Sequence, residues 1–158
     1  MENQITNLIK EAGCIYRGKI IDDVIYLERH IDEYLSRYFC QEKEKQKDLF
    51  EMILGSRLSW LPKLQVFTLI LETHKKEFLL KHSNFIKDLE KLSAERNIVA
   101  HSLLDTSEEG RKEYKENQSI GFVRFRDGTK PEWRTLSKLN EFGIIANNCV
   151  TAIHELLQ

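Results

Sequence analysis

Residues 20–39, IIDDVIYLERHIDEYLSRYF, set apolar side chains at Ile21, Val24/Ile25, Ile31, Leu35 and Phe39, a three-and-four spacing that an α-helix gathers onto one face. The rhythm returns over residues 84–104, NFIKDLEKLSAERNIVAHSLL, at Phe85, Leu89, Leu92, Val99 and Leu103. It returns again through Leu139, Phe142, Ala146, Cys149, Ile153 and Leu156, a closing helix that Ser137 can cap. Ahead of the first stretch, Ile5, Leu8/Ile9, Ala12 and Ile15 repeat more weakly, interrupted by Gly13 and Gly18. That pattern fits either a short separate helix or an extension of the 20–39 helix. In DLFEMILGSRLSWLPKLQVFTLILE, Gly55 and Pro62 predict two helices or one kinked helix, with Pro62 in a first turn. Two prolines and seven glycines in 158 residues are too few for a loop-rich sandwich, and the length suffices for one buried core. The expectation is one all-α domain over residues 1–158, a compact up-and-down helical bundle.

One segment breaks the helical rhythm. After the polar, aperiodic TSEEGRKEYKENQ (106–118), the run SIGFVRFRDGTKPEWRTL alternates Phe122/Arg124/Arg126 against Val123/Phe125 up to Asp127 and Gly128. This predicts a small β-hairpin insertion over 119–136 before the last helix. Pro131 confines its second strand to an edge, and the hairpin is expected to protrude from the helical body.

The formal net charge of −1 names no partner for the whole molecule, but its distribution is uneven. Residues 111–138 carry eight Lys/Arg against four Asp/Glu, whereas 1–110 carry 16 against 19 and 139–158 none against two. Arg124, Arg126, Lys130 and Arg134, interleaved with Phe122, Phe125 and Trp133, form a candidate surface for phosphates and stacked bases of RNA. The alternative is a solvated hairpin whose aromatic side chains pack on the bundle. No apolar run nears the roughly 18 residues of a membrane span, so no membrane partner is expected. The opening MENQITNLIKEAG lacks the basic and apolar regions of a secretory signal, which makes a cytoplasmic location the expectation. Cys14, Cys40 and Cys149 lie far apart without C-x-x-C spacing, predicting buried thiols rather than disulfides or a zinc site. His30, His74, His82 and His154 show no metal-ligand spacing, and neither metal nor cofactor is expected.

Charges also fall where apolar residues belong. A wheel of residues 84–104 puts Arg96 between Leu92 and Val99 on the apolar stripe, and the 20–39 wheel puts Glu28 and Asp32 on its stripe one turn apart. A buried charge is retained when paired, so Arg96 is expected to meet Glu28 or Asp32 across a helix contact; otherwise these side chains reach out to water along the stripe edges. Asn97 and His101 are four residues apart and share another face, about 140° from Arg96. Asn97 could fix the imidazole tautomer, and an imidazole exchanges protons near neutral pH. Beside it, an arginine would offset charge developing on phosphate oxygens, so acid/base cleavage of RNA at the 2′-OH needs no metal here.

The run R-N-I-V-A-H, Arg96 to His101, resembles the Arg-polar-x-x-x-His signature of the HEPN superfamily (higher eukaryotes and prokaryotes nucleotide-binding). The likeness extends over about residues 19–157, with the run in the expected motif helix. It implies a metal-independent endoribonuclease of toxin–antitoxin, abortive-infection or other defence systems. It also implies a homodimer in which two motifs face one cleft, 2′-OH attack leaving a 2′,3′-cyclic phosphate, and an antitoxin protein as a possible partner. Carried over by position, Arg96 matches the phosphate-stabilising arginine, Asn97 the polar neighbour and His101 the acid/base histidine. Leu103 stands where one toxin branch has a tyrosine that is nucleotidylated, so that regulation is not expected, and the 119–136 hairpin is absent from minimal members. The alternative expectation is a non-catalytic nucleotide-binding, RNA-binding or dimeric scaffold module of the same fold.

Overall fold

In the computed structural model, which describes residues 2–124 and 130–158, the first 18 residues are no separate element. One helix, α1, runs from Glu2 to Phe39 through both glycines. Gly13 has a packing reason: a Cβ there would fall 2.4 Å from a methyl of Leu104. Around Gly18 there is open space, and nothing in the structure explains it.

The middle of the chain is broken helix, as Gly55 and Pro62 predict. Helix α2 (Lys43–Asp48) widens into a π-helical stretch, Leu49–Leu54, followed by the short α3 (Gly55–Arg57). Helix α4 (Trp60–His74) then starts after Ser59 with Pro62 in its first turn, where a missing N–H has no helical partner to lose. Next come α5 (Lys76–Lys81) and α6 (Phe85–His101).

Helix α6 stops at His101 rather than continuing to 104, because Ser102–Leu104 forms strand β1. The polar stretch after it contains a helix, α7 (Glu108–Asn117). Ser107 caps it by accepting from the Gly110 N–H at 3.2 Å, Glu108 and Glu109 sit at its positive end, and Gln118 closes it in the left-handed region at φ 53°. Strands β2 (Ile120–Arg124) and β3 (Glu132–Arg134) complete an antiparallel sheet of order β1-β2-β3, with Leu103 opposite Val123 and Gly121 opposite Trp133. β3 lies at the edge, as Pro131 predicts. The base of the hairpin does not protrude: Ile120 and Phe122 are buried, with the Phe122 ring 5.7 Å from that of Tyr16. Gly121 is covered by the Trp133 indole, which a Cβ would approach to 2.8 Å. The expected turn at Asp127 and Gly128 lies outside the described residues.

Helix α8 (Leu136–Leu157) closes the chain. Its cap is Thr135, whose hydroxyl accepts from the Lys138 N–H at 3.2 Å, and Ser137 falls inside the helix. The fold is all-α with a small sheet ahead of the last helix. No helix among the described residues is long and apolar enough to cross a membrane. The chain divides into two compact units, Met1–Asp23 with Leu92–Ile145 and Val24–Lys91 with Ala146–Gln158. Ile9, Tyr16, Ile20, Val99 and Phe122 centre the core of the first; Leu27, Ile31, Phe67, Leu71 and Leu89 centre that of the second. Of the three cysteines only Cys149 is buried, and burial, together with the Asp88 charge, pushes its thiol up to about 12; Cys14 is exposed and Cys40 half-buried.

Candidate functional site

The last turns of α6 carry Arg96, Asn97 and His101. Asn97 and His101 are exposed one turn apart, as their spacing dictates, while Arg96 is half-buried. The Arg96 guanidinium donates from Nη1 to Asn97 Oδ1 at 3.3 Å. Among the described residues no hydrogen bond joins Asn97 to His101, so the carboxamide steadies the arginine rather than the imidazole. That corrects the expected role of Asn97 as the group orienting His101.

The charge that α6 does bury is Glu95, one residue earlier, at 3% exposure. Leu92, Glu95, Val99 and Ser102 follow each other at three- and four-residue steps, and all four are buried. Placing the stripe through Leu103 instead, which is exposed, rotates it by one position onto Arg96. The Glu95 carboxylate takes three donors: Tyr16 Oη at 3.0 Å and Arg134 Nε at 2.6 Å on Oε1, and Arg134 Nη2 at 2.9 Å on Oε2. This is the bidentate fork that makes arginine suited to buried pairing. Burial pushes the Tyr16 phenol well up, reinforced by the Glu95 charge, so it stays protonated and donates. Burial works against the Arg134 charge, but the Glu95 carboxylate outweighs it and holds the guanidinium more firmly protonated.

From Arg134 the network continues into the sheet. Arg134 Nη2 reaches Glu132 Oε2 at 3.0 Å, and Glu132 Oε1 accepts from Arg124 Nη2 at 2.7 Å. Burial alone would raise the Glu132 carboxyl; hydrogen bonds from Arg134 and Arg124 outweigh it and hold the group below the ordinary carboxylate value. One further contact closes the frame: Arg17 Nη2 donates to the carbonyl of Ser102 at 2.9 Å, with its guanidinium 5.9 Å from the centre of the Phe122 ring. Two consecutive residues of α1, Tyr16 and Arg17, therefore grip the residue just before Arg96 and the residue just after His101.

The basic residues expected to bind RNA are distributed unequally. Arg134 is 14% exposed and held by Glu95 and Glu132, Arg124 is paired with Glu132, and Lys130 is exposed. Arg126 and Phe125 lie outside the described residues. Phe122, offered by the sequence as a stacking face, is fully buried.

Glu28 and Asp32 do share a buried partner, but it is Lys63 of α4 and not Arg96. Lys63 Nζ donates to Glu28 Oε1 at 2.5 Å and to Asp32 Oδ2 at 2.8 Å, both within the second unit. Burial raises the Asp32 carboxyl more than the Lys63 hydrogen bond lowers it. A lysine on the apolar face of WLPKLQVF was the overlooked signal: Lys63 precedes Leu64 and stands four residues before Phe67, both buried. No protein-family model, curated protein or solved structure matches this chain.

Proposed function

We propose that the chain is a metal-independent endoribonuclease of HEPN type, active in bacterial toxin or antiviral defence. His101 serves as acid/base, Arg96 as the phosphate-stabilising cation and Asn97 as the side chain that aims Arg96. In this scheme the 2′-oxygen attacks phosphorus as its proton leaves, and the P–O5′ bond breaks as the 5′-oxygen gains a proton. The products are a 2′,3′-cyclic phosphate and a 5′-hydroxyl. The observation that carries the reading is the framing of the motif: Glu95 and the Ser102 carbonyl are fixed by Tyr16 and Arg17, while Asn97 and His101 between them are left exposed. Rigid support under solvent-facing polar groups is what a preorganised site requires. A homodimer, with the Arg96 of one copy beside the His101 of the other, completes the proposal, and an antitoxin protein is its regulatory partner.

The test is end-labelled RNA incubated with wild type and His101→Ala in EDTA, with fragment termini analysed. Expected are cyclic-phosphate ends from wild type, none from His101→Ala or Arg96→Ala, and an unchanged melting temperature for His101→Ala because that side chain is exposed. Cleavage surviving in His101→Ala would remove this reading. A second reading, a non-catalytic RNA- or nucleotide-binding module, is favoured by His101 lacking a hydrogen-bond partner among the described residues, where acid/base histidines are ordinarily oriented by a second group. RNA binding without cleavage would select it, and a monomer in light scattering at micromolar concentration would count against the composite site.

A further inference from the structure

The second unit holds a group of charges that no part of the RNA chemistry uses. Lys63 is 2% exposed and is shared by two carboxylates, Glu28 and Asp32, the latter 4% exposed. A buried ion cluster is a poor way to gain stability, since apolar side chains of similar volume do as well or better. It is also incomplete: Asp32 Oδ1 is buried with no hydrogen-bond partner, in a setting where buried polar atoms almost always have one.

All three side chains line a cavity of about 330 Å³, at the small end of the range for ligand pockets. Its remaining walls are Ile25, Arg29, Phe50 and Gly55. Phe50 lies within the π-helical stretch and Gly55 directly follows it; such widened turns recur at binding sites. Arg29 is exposed and makes no ion pair or hydrogen bond among the described residues. The cavity thus offers the part-exposed Glu28 carboxylate, an uncommitted guanidinium and two apolar side chains, with Asp32 and Lys63 buried behind them.

We propose that this cavity binds a small zwitterion of the α-amino acid class. Its ammonium group meets the part-exposed Glu28 carboxylate, its carboxylate takes Arg29, and an apolar side chain lies against Ile25 and Phe50. Neither charge alone suffices, because the cavity presents both signs, and Lys63 is already occupied by Glu28 and Asp32. The inference is independent of the ribonuclease reading.

The experiment uses the full chain with isoleucine methyl groups labelled for NMR, titrated with L-leucine, L-isoleucine, L-methionine and L-phenylalanine at millimolar concentration. Each amino acid is accompanied by its N-acetyl and its amide derivative. Expected is a saturable shift of the Ile25 methyl with at least one of the four. Binding should weaken about tenfold in either derivative and in Arg29→Gln, the loss of one charge-assisted contact. Arg29 is exposed, so that variant keeps the wild-type melting temperature. No saturable shift with any of the four, or equal binding by the N-acetyl derivative, or unchanged affinity in Arg29→Gln, would overturn the proposal.

Discussion

Each unit of this protein buries a cluster of charges, and the two clusters are built differently. In the first, Glu95 meets a bidentate arginine and a tyrosine hydroxyl, so both carboxylate oxygens are satisfied. In the second, one lysine serves two carboxylates and leaves Asp32 Oδ1 without a partner. A network that satisfies its central carboxylate fixes the elements it joins, here α1, α6 and β3, even though Arg17 Nε and Ser102 Oγ at its edge are buried without a hydrogen-bond partner among the described residues. The second cluster leaves its central carboxylate half-satisfied. The difference is one of satisfaction: the Glu95 carboxylate has a donor on each oxygen, and the Asp32 carboxylate has a donor on one.

Breaking the closed network carries the largest expected effect. Glu95→Ala leaves Arg134 without its main counter-charge and is expected to lower stability by about 3–5 kcal/mol in urea unfolding. A loss under about 1 kcal/mol would mean that Arg134 finds water and that the network is not closed. Lys63→Met should do less, about 2 kcal/mol at neutral pH, because Glu28 is 23% exposed and can turn outward while Asp32 can take a proton. Equal losses in the two variants would erase the contrast. Tyr16→Phe removes one of three donors to Glu95 and should lower the unfolding free energy by about 1.5 kcal/mol, read from the urea midpoint.

The smallest effect is the most diagnostic, because acid acts on the two clusters with opposite sign. Glu132 has a lowered folded value, so its contribution is complete above the ordinary carboxylate range and is lost as pH falls through that lowered value. Asp32 has a raised folded value, so its ionisation opposes folding above that value and the opposition is relieved as pH falls through it. Urea midpoints followed from neutral pH into acid should show the gap between wild type and Glu132→Gln closing. The gap between wild type and Asp32→Asn should shift in wild type's favour over the same descent. Parallel changes in both would show that the clusters are electrostatically alike.

Much of the architecture is visible in the chain itself, since periodicity and breakers act locally. The three-and-four spacings mark α1, α6 and α8, Gly55 and Pro62 mark the broken middle, and Pro131 marks an edge strand. Helix α7 was missed because it has no apolar period; Ser107 followed by Glu108 and Glu109 was the available signal. Strand β1 was missed because SLL continues the rhythm of α6, and only pairing with β2 makes it a strand. Within the site, the i, i+4 placement of Asn97 and His101 follows from helix geometry, whereas the one-residue error that put Arg96 in the core arose from a stripe ambiguous between neighbouring positions.

The chain by itself determined where helices form and which residues share a helix face, because those depend on neighbours three and four positions away. Only the tertiary structure decided which charges are buried and with whom. Tyr16 reaches Glu95 across 79 positions and Lys63 reaches Glu28 across 35, and no local pattern specifies such a partner. A buried carboxylate is stabilised by whichever donor the packing brings within hydrogen-bond distance, and that choice is made when the helices meet.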